Sequence, residues 1–337
     1  MSACLAIGRS CVTRWMLCCF LVLLSAGGRA DEPLKKASFI PLWFPQAQFA
    51  GYYLALEKGI YRRHGIDLTI IDGGSQRPPA EYLRDGRADF AALWLTTALQ
   101  RRSQGLALVN IAQVVQQSSM LLLAIKSSGI NTLADMAGQK VGLWGGDFDI
   151  PPRAAFDRNG VQVNVVHQSA TVNLFLRGGV AVTSAMSYNE YHTIVNSGVN
   201  PDELTVFPLK DHGANFPEDG LYALQQTVQR DPQLVDAFVR ASLEGWDYAF
   251  AHPDEAIDVV LRVMRKARLP ANRMHQQWML SRLQDVMRPA GNGGEAGVLS
   301  RQDYQAVTSE LQRTGLVRDV VDYDAFVRRP APGPSRP

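Results

Sequence analysis

Trp43, Gln46 and Gln48 stand close together where the short apolar run 38–43 ends. Trp94 and Trp144 repeat the arrangement: each closes an apolar run, the first followed by Thr96 and the second by Gly145-Gly146-Asp147. Rings and amides at strand ends suit the capture of a small molecule. In an open α/β sheet ligands bind outside the carboxyl ends of the strands, and a flat ring buries its faces best against other rings. The alternative for each tryptophan is a place in the core, although Pro45 and Gln46 beside Trp43 favour a loop. Tyr52 lies on the first helical run and is assigned equally to core or site. Asp219, in the polar loop 215–220, faces either the cleft or solvent as a turn acid.

Catalytic signatures are poor by comparison. His64, His167, His192, His212, His252 and His275 are scattered, with no HExxH and no paired metal spacing. His192 is two residues from Glu190 and therefore off its helical face. No G-x-S-x-G elbow or P-loop is present. Gly73-Gly74 and Gly145-Gly146 are turn glycines first and points of ligand approach second. No metal or cofactor is expected.

Presenting those side chains requires strands. Residues 38–43 read as a strand, 49–63 as a helix, and 66–72 as a strand after the stop at Gly65. That makes a βαβ unit of about 30 residues. A helix around 79–85, a strand at 88–94, a helix at 96–103 and strands at 108–115 and 120–126 follow. The pattern restarts after Gly129: helix 133–137, strand 140–144, helix 152–159, strand 161–167, helix 172–177, strand 180–186, helix 188–195 and strand 205–209. A strand at 221–225 precedes an almost wholly helical block of 232–251, 253–267, 271–287 and 300–314. Pro232 and Pro253 fall in first turns, where a missing N–H costs nothing. Two βα runs and a helical block predict two α/β lobes joined by two crossover strands near Ser127 and Tyr222. Residues 31–127 with 223–328 would form the first lobe and 128–222 the second. A single doubly wound domain is the alternative, which the fresh helix and strand after Gly129 disfavour.

Arg9 and Arg14, the apolar run from Trp15 to Ala26 and the small residues before Asp31 have the form of a secretory signal peptide over residues 1–30. The run is shorter than the roughly 17–25 residues of a membrane span. All four cysteines, Cys4, Cys11, Cys18 and Cys19, lie inside it, so the exported chain would carry no disulfide, thiolate metal site or cysteine nucleophile. Trp15, Met16 and Leu17 are too bulky to precede a lipidated cysteine. The chain has 34 Lys and Arg against 32 Asp and Glu; cleavage removes Arg9, Arg14 and Arg29, leaving 31 against 32 and a net charge of −1. That balance argues against a nucleic-acid partner. Residues 329–337 are Pro-rich and predict a loose tail without a core.

The segment from Trp43 to Tyr53, running on through Glu57-Lys58-Gly59 to His64-Gly65-Ile66-Asp67, resembles the opening of the SsuA/THI5-like (NMT1-like) family of ABC-transporter substrate-binding proteins. Gly86-Arg87-Ala88-Asp89-Phe90 resembles the family's G-x-A-D-F strand entry. Gly129-Ile130 with Leu133-Ala134-Asp135-Met136-Ala137-Gly138-Gln139-Lys140-Val141-Gly142 resembles its start of a second lobe. Together the matching pieces cover roughly residues 38–260 in the right order. The resemblance implies a type II periplasmic-binding-protein fold that closes on its ligand by hinge motion. It places Tyr188, Asn189 and Glu190 where the second lobe presents ligand-binding side chains. Trp43 and Tyr188 would stack a pyrimidine ring and Glu190 would accept from its exocyclic amine, an ionised acceptor making a stronger hydrogen bond than a neutral one. The plain alternative for Tyr188 and Glu190 is an exposed helix start, where acids are favoured in any case.

The function expected is capture, in the periplasm, of a small heteroaromatic ligand such as a thiamine pyrimidine precursor, by a monomer serving an ABC permease in the inner membrane. The resemblance also extends to synthases that build the pyrimidine phosphate from pyridoxal phosphate and a histidine of their own chain. Aligning 86–89 on their motif puts Leu93 and Thr97 at the lysine and histidine positions, and the cysteine cluster at 215–220, which holds no cysteine. A Schiff base needs an amine, so that activity is disfavoured. A riboflavin binder, a sulfonate binder using backbone amides with Arg153 and Arg177, and a binding protein that feeds a sensor are the other readings.

Overall fold

A computed structural model describes residues 33–289 and 295–329. The expected signal segment, and all but Arg329 of the expected tail, lie outside the described residues. Ten strands form two sheets of five. The first holds β1 (Lys35–Ile40), β2 (Ile66–Ile70), β3 (Phe90–Trp94), β4 (Leu108–Gln113) and β10 (Asp219–Leu224) in the order β2-β1-β3-β10-β4. The second holds β5 (Met120–Ile125), β6 (Lys140–Leu143), β7 (Asn164–His167), β8 (Val182–Met186) and β9 (Leu204–Pro208) in the order β7-β6-β8-β5-β9. Each sheet has three parallel strands, then one antiparallel strand inserted before the far edge: β10 in the first, β5 in the second. The chain crosses between sheets twice, from β4 to β5 and back from β9 to β10. Two α/β lobes with a helical C-terminal block are therefore present as expected, but the chain crosses at 114–119 and 209–218 and not near Ser127 and Tyr222, because β5 pairs in the second sheet and β10 in the first.

The run expected as one helix over 49–63 is interrupted. Gly59 takes φ 65°, a left-handed conformation that favours glycine, and divides α1 (Ala50–Glu57) from the short turn Ile60–Arg63. α1 lies against α2 (Pro232–Ala251), which begins at Pro232 as expected; the side chain of Asp231 caps it, accepting from the Leu234 N–H at 3.0 Å. Phe238 of α2 stacks on Phe90 of β3 with centroids 3.9 Å apart and planes 4° apart, and also meets Phe39 of β1. The two strands that carry Trp43 and Trp94 toward the cleft are thus fixed from behind. The last helices of the block include α3 (Arg273–Met287) and α4 (Arg301–Arg313), and both reach the second lobe. Arg158 of that lobe donates to the buried Glu310 of α4 at 2.8 Å, and Arg313 donates to Asp157 at 3.1 Å.

Candidate functional site

Parallel strands from both sheets end on one cleft. β1 leads into Trp43 and Gln46, β3 ends at Trp94, β6 runs into Trp144, and β8 runs into Tyr188. Between them lies a narrow cavity. The first lobe contributes Leu42, Trp43, Gln46, Gln48 and Trp94 to its wall; the second contributes Trp144, Phe148, Met186, Tyr188, Asn189 and Glu190. Eight of the eleven expected positions thus come together. The helix expected over 188–195 begins only at Glu190, so Tyr188 and Asn189 stay in the preceding turn and reach the cavity.

On the first-lobe side the two glutamines form a directed chain. Gln46 Nε2 donates to Gln48 Oε1 at 2.6 Å, and Gln48 Nε2 donates to Asp219 Oδ2 at 2.8 Å. Asp219 faces neither solvent nor the cavity. It is 5% exposed at the start of β10, opposite Trp94, and acts on the wall through Gln48. Burial pushes its carboxyl up to about 6, against the Gln48 bond that lowers it. Its Oδ1 and the Trp94 Nε1 have no hydrogen-bond partner among the described residues.

On the second-lobe side, Glu190 Oε2 accepts from the Met186 N–H at 2.9 Å and Oε1 accepts from Asn189 Nδ2 at 2.7 Å. Burial of the carboxyl raises it to about 7, partly offset by the backbone N–H groups. Tyr188 is buried, and burial together with the Asp219, Glu218 and Glu190 carboxylates holds its hydroxyl far above the usual phenol range. That hydroxyl is therefore a neutral donor and acceptor.

The other placements correct the expectations. Tyr52 belongs to the core, between Phe39 (centroids 4.8 Å) and Trp246 (5.5 Å), because its place on α1 turns it inward. Thr96 starts the helix Leu95–Ser103, 1% exposed and behind the wall. Arg153 pairs with Asp149 at 2.7 Å, Arg177 is exposed, and neither lines the cavity. No Lys or Arg does. Leu93, where a synthase would need its amine, is buried in β3.

Three further features were not anticipated. Phe148 reaches from the second lobe to meet Trp43 and Trp94 edge-on, at centroid distances of 5.9 and 4.6 Å. Its place in the loop after Trp144 and Gly145-Gly146 was the available signal. Glu218, adjoining Asp219, is buried where the two crossover segments meet and accepts from Ser118 and Ser119. His192 and His275, scattered in the sequence, approach to 3.0 Å between Nδ1 atoms. Among the described residues no three His, Cys, Asp or Glu gather as metal ligands. No described helix is long and apolar enough to cross a membrane.

Residues 46–256 match the NMT1/THI5-like family model, well over half of the chain. The chain belongs to that family. Relatives within reach of sequence comparison include a formylaminopyrimidine-binding protein from Halalkalibacterium halodurans, 24% identical over 88% of this chain and 91% of the relative. A riboflavin-binding protein, RibY, from Chloroflexus aurantiacus is 26% identical over 91% of this chain and 89% of its own. Among solved structures, the periplasmic aliphatic sulphonate-binding protein SsuA from Escherichia coli superposes with a TM-score of 0.67 over 90% of this chain and 94% of that one, at 15% identity. The NMT1/THI5-like chain thus has the periplasmic-binding-protein fold.

Proposed function

We propose that the protein is the periplasmic solute-binding component of an ABC importer and holds a small aminopyrimidine of the thiamine-precursor type in the inter-lobe cavity. The observation that carries this reading is the composition of the wall among the described residues: five aromatic rings, two oriented glutamines, and Glu190 as its one carboxylate, with no cationic side chain. Such a wall favours a flat, donor-bearing ring and gives a sulfonate nothing of opposite charge. Trp43, Trp94, Trp144 and Tyr188 enclose the ring faces, and Glu190 accepts from the exocyclic amine. The likeness to a formylaminopyrimidine-binding protein supports the same assignment. Phe148, lying between Trp43 and Trp94, narrows the slot toward one ring and away from the three fused rings of a flavin. Leu93 provides no amine for a Schiff base, so the chain binds its ligand without transforming it. Delivery then passes to a permease in the inner membrane, from a monomer.

Native mass spectrometry of the protein purified from cells, followed by calorimetric titration of whatever co-purifies, tests the assignment. The expected result is an intact aminopyrimidine, bound in competition with formylaminopyrimidine, with riboflavin and alkanesulfonates much weaker. Trp43→Ala and Glu190→Ala should each abolish that binding while leaving the melting point of the empty protein nearly unchanged. Tight riboflavin binding with no aminopyrimidine binding would reassign the ligand. Covalent uptake of pyridoxal phosphate would overturn the binding reading altogether.

A further inference from the structure

Glu190 does not stand alone. Its partner Asn189 places Nδ2 on the carboxylate, so the amide oxygen points the other way, where it meets His275 Nε2 at 2.9 Å. His275 belongs to α3 of the helical block, on the opposite side of the cleft. Since Asn189 Oδ1 only accepts, His275 must carry its proton on Nε2. In the neutral ring its Nδ1 is then an acceptor, and what faces it at 3.0 Å is Nδ1 of His192, on the second-lobe helix Glu190–Asn196. The two rings lie within 17° of one plane with centroids 5.2 Å apart. At that centroid distance the short Nδ1–Nδ1 approach is head-on, the geometry of one N–H···N bond and not of two lone pairs converging on a metal. His192 therefore donates. Asn196, whose exposed carboxamide lies 3.2 Å from the same Nδ1, can turn either end toward it.

The contact is braced. The His192 ring stacks on Trp278 of α3, 4.7 Å between centroids and 5° between planes, and Trp278 Nε1 donates to the second-lobe Ser187 carbonyl at 3.1 Å. Two residues before Trp278, Gln276 of the same helix accepts from the Ala47 N–H at 2.7 Å, in the loop that carries Gln46 and Gln48. One helix thus holds the glutamine loop of its own lobe and the carboxylate turn of the other.

We propose that His275 is a positioning residue for Glu190, supplied across the cleft and held in its working tautomer by His192, so that the ligand-facing carboxylate is fully oriented only when the lobes meet. This rests on the reading of Glu190 as the acid that faces the ligand. The arrangement tolerates one positive charge on the pair, because His192 can take a proton on Nε2 and still donate from Nδ1. It does not tolerate two, because two Nδ1–H groups would then face each other. The charged or titratable groups on the elements packed around the pair are Glu190 and Tyr191 on the second lobe, Arg273 paired with Asp258, and Arg282 over the Trp278 ring and paired with Asp285. Both arginines are engaged by a carboxylate, so neither acts on the pair as a free positive charge. Burial, and the neighbouring His192, lower His275 to about 4, in accord with a pair that refuses its second proton while the cleft is closed. An opened cleft returns both imidazoles toward their ordinary value near 6.5, so acid favours opening.

The test is calorimetric titration with 4-amino-5-hydroxymethyl-2-methylpyrimidine between about pH 7.5 and about pH 5, on the wild type, His275→Phe and His275→Gln. In the wild type the dissociation constant should rise about tenfold or more over that range. His275→Phe, which keeps a ring but loses both nitrogens, should bind about tenfold more weakly at the upper pH and show a shallower profile, the slope that remains being that of Glu190, itself raised to about 7. His275→Gln can still donate to Asn189, and should recover affinity at the upper pH without recovering the pH step. Thermal melts followed by circular dichroism establish that each variant is folded, and His192→Phe replaces any that is not, with the same shallower profile expected. Equal pH slopes in the wild type and a folded variant would overturn the proposal. If no aminopyrimidine binds the wild type, the ligand reading fails separately, and small-angle X-ray scattering decides the latch. A radius of gyration that grows with acid in the wild type but not in His275→Phe would support it; identical behaviour would overturn it.

Discussion

The two lobes have the same strand order and differ in how they hold their share of the cleft. In the first lobe the wall rests on buried structure. β3 is buried along its whole length, and Phe90 is pinned by Phe238. The glutamines end in the buried Asp219. In the second lobe the wall sits on turns: Phe148 in the segment Gly146–Asp149, and Tyr188 and Asn189 before their helix. The strand β7 beyond is largely exposed, and the hydrophobic cluster on the sheet's other face gathers only eight buried residues. One lobe is a platform whose site geometry is set by folding. The other is a reader whose geometry is completed by contact, which is why Glu190 draws on a histidine from across the cleft.

Glycines give the sharpest way to break that contrast. On the platform side, α1 and α2 touch where Gly51 and Gly245 face each other; a Cβ on Gly245 would run into the Gly51 carbonyl oxygen and the Ala55 methyl. Backbone, not a flexible side chain, would have to yield. Gly245→Ala is therefore expected to cost about 2–3 kcal/mol of stability, the upper part of the usual overpacking range, seen as a lowered midpoint in urea unfolding. On the reader side, Gly146 takes φ 68° with open space around it. Gly146→Ala meets no atom and bears only the left-handed backbone penalty, about 1 kcal/mol. Equal losses at the two positions would mean that both lobes are built alike.

Phe148 sharpens the comparison on the ligand side. It belongs to the reader yet makes its ring contacts on the platform, edge-on to Trp43 and Trp94. Aromatic pairs of this kind contribute about 0.5–1.5 kcal/mol each beyond buried area. Phe148→Ala should weaken aminopyrimidine binding by roughly tenfold while moving the melting point of the empty protein little. Unchanged affinity in calorimetry would show that the ring is a bystander.

The same contrast separates what the sequence made legible from what it hid. Strand ends are local, so Trp43, Trp94 and Trp144 were placed on the cleft from apolar runs and the turn residues after them. The helix 232–251 was likewise given its start by its own Pro232. Tyr52 stayed open between core and site because helical spacing says only that a face is apolar, and the ring that covers it, Trp246, is far along the chain. Phe148 looked like an ordinary loop residue, because its partners belong to the other lobe. His192 and His275 carried no spacing signal at all: their meeting depends on how the helical block lies across the second lobe. Glu218 was passed over beside Asp219 because the serines that enclose it come from the other crossover.

Glu218 gives the smallest expected effect, and one that locates the join between platform and reader. It accepts from the Ser119 N–H and Oγ, each at 2.7 Å, and from Ser118 Oγ at 3.2 Å, in the segment leading to β5. Burial still raises it from 4.5 to about 8, against those serine bonds and with the Asp219 charge adding to the rise. Folding therefore favours the protonated acid. Its contribution to stability is complete below about pH 4.5 and is lost as the pH rises through about 8. Asp219, raised from 3.8 to about 6, acts with the same sign over a lower window. Glu218→Gln keeps the shape and removes the charge, so the variant should match the wild type near pH 4.5 and gain on it as the pH rises toward 9. Urea midpoints at the two pH values check this. Parallel profiles would mean that the serine donors outweigh burial and that the crossover carries a fixed negative charge beneath Tyr188, a platform feature placed at the hinge.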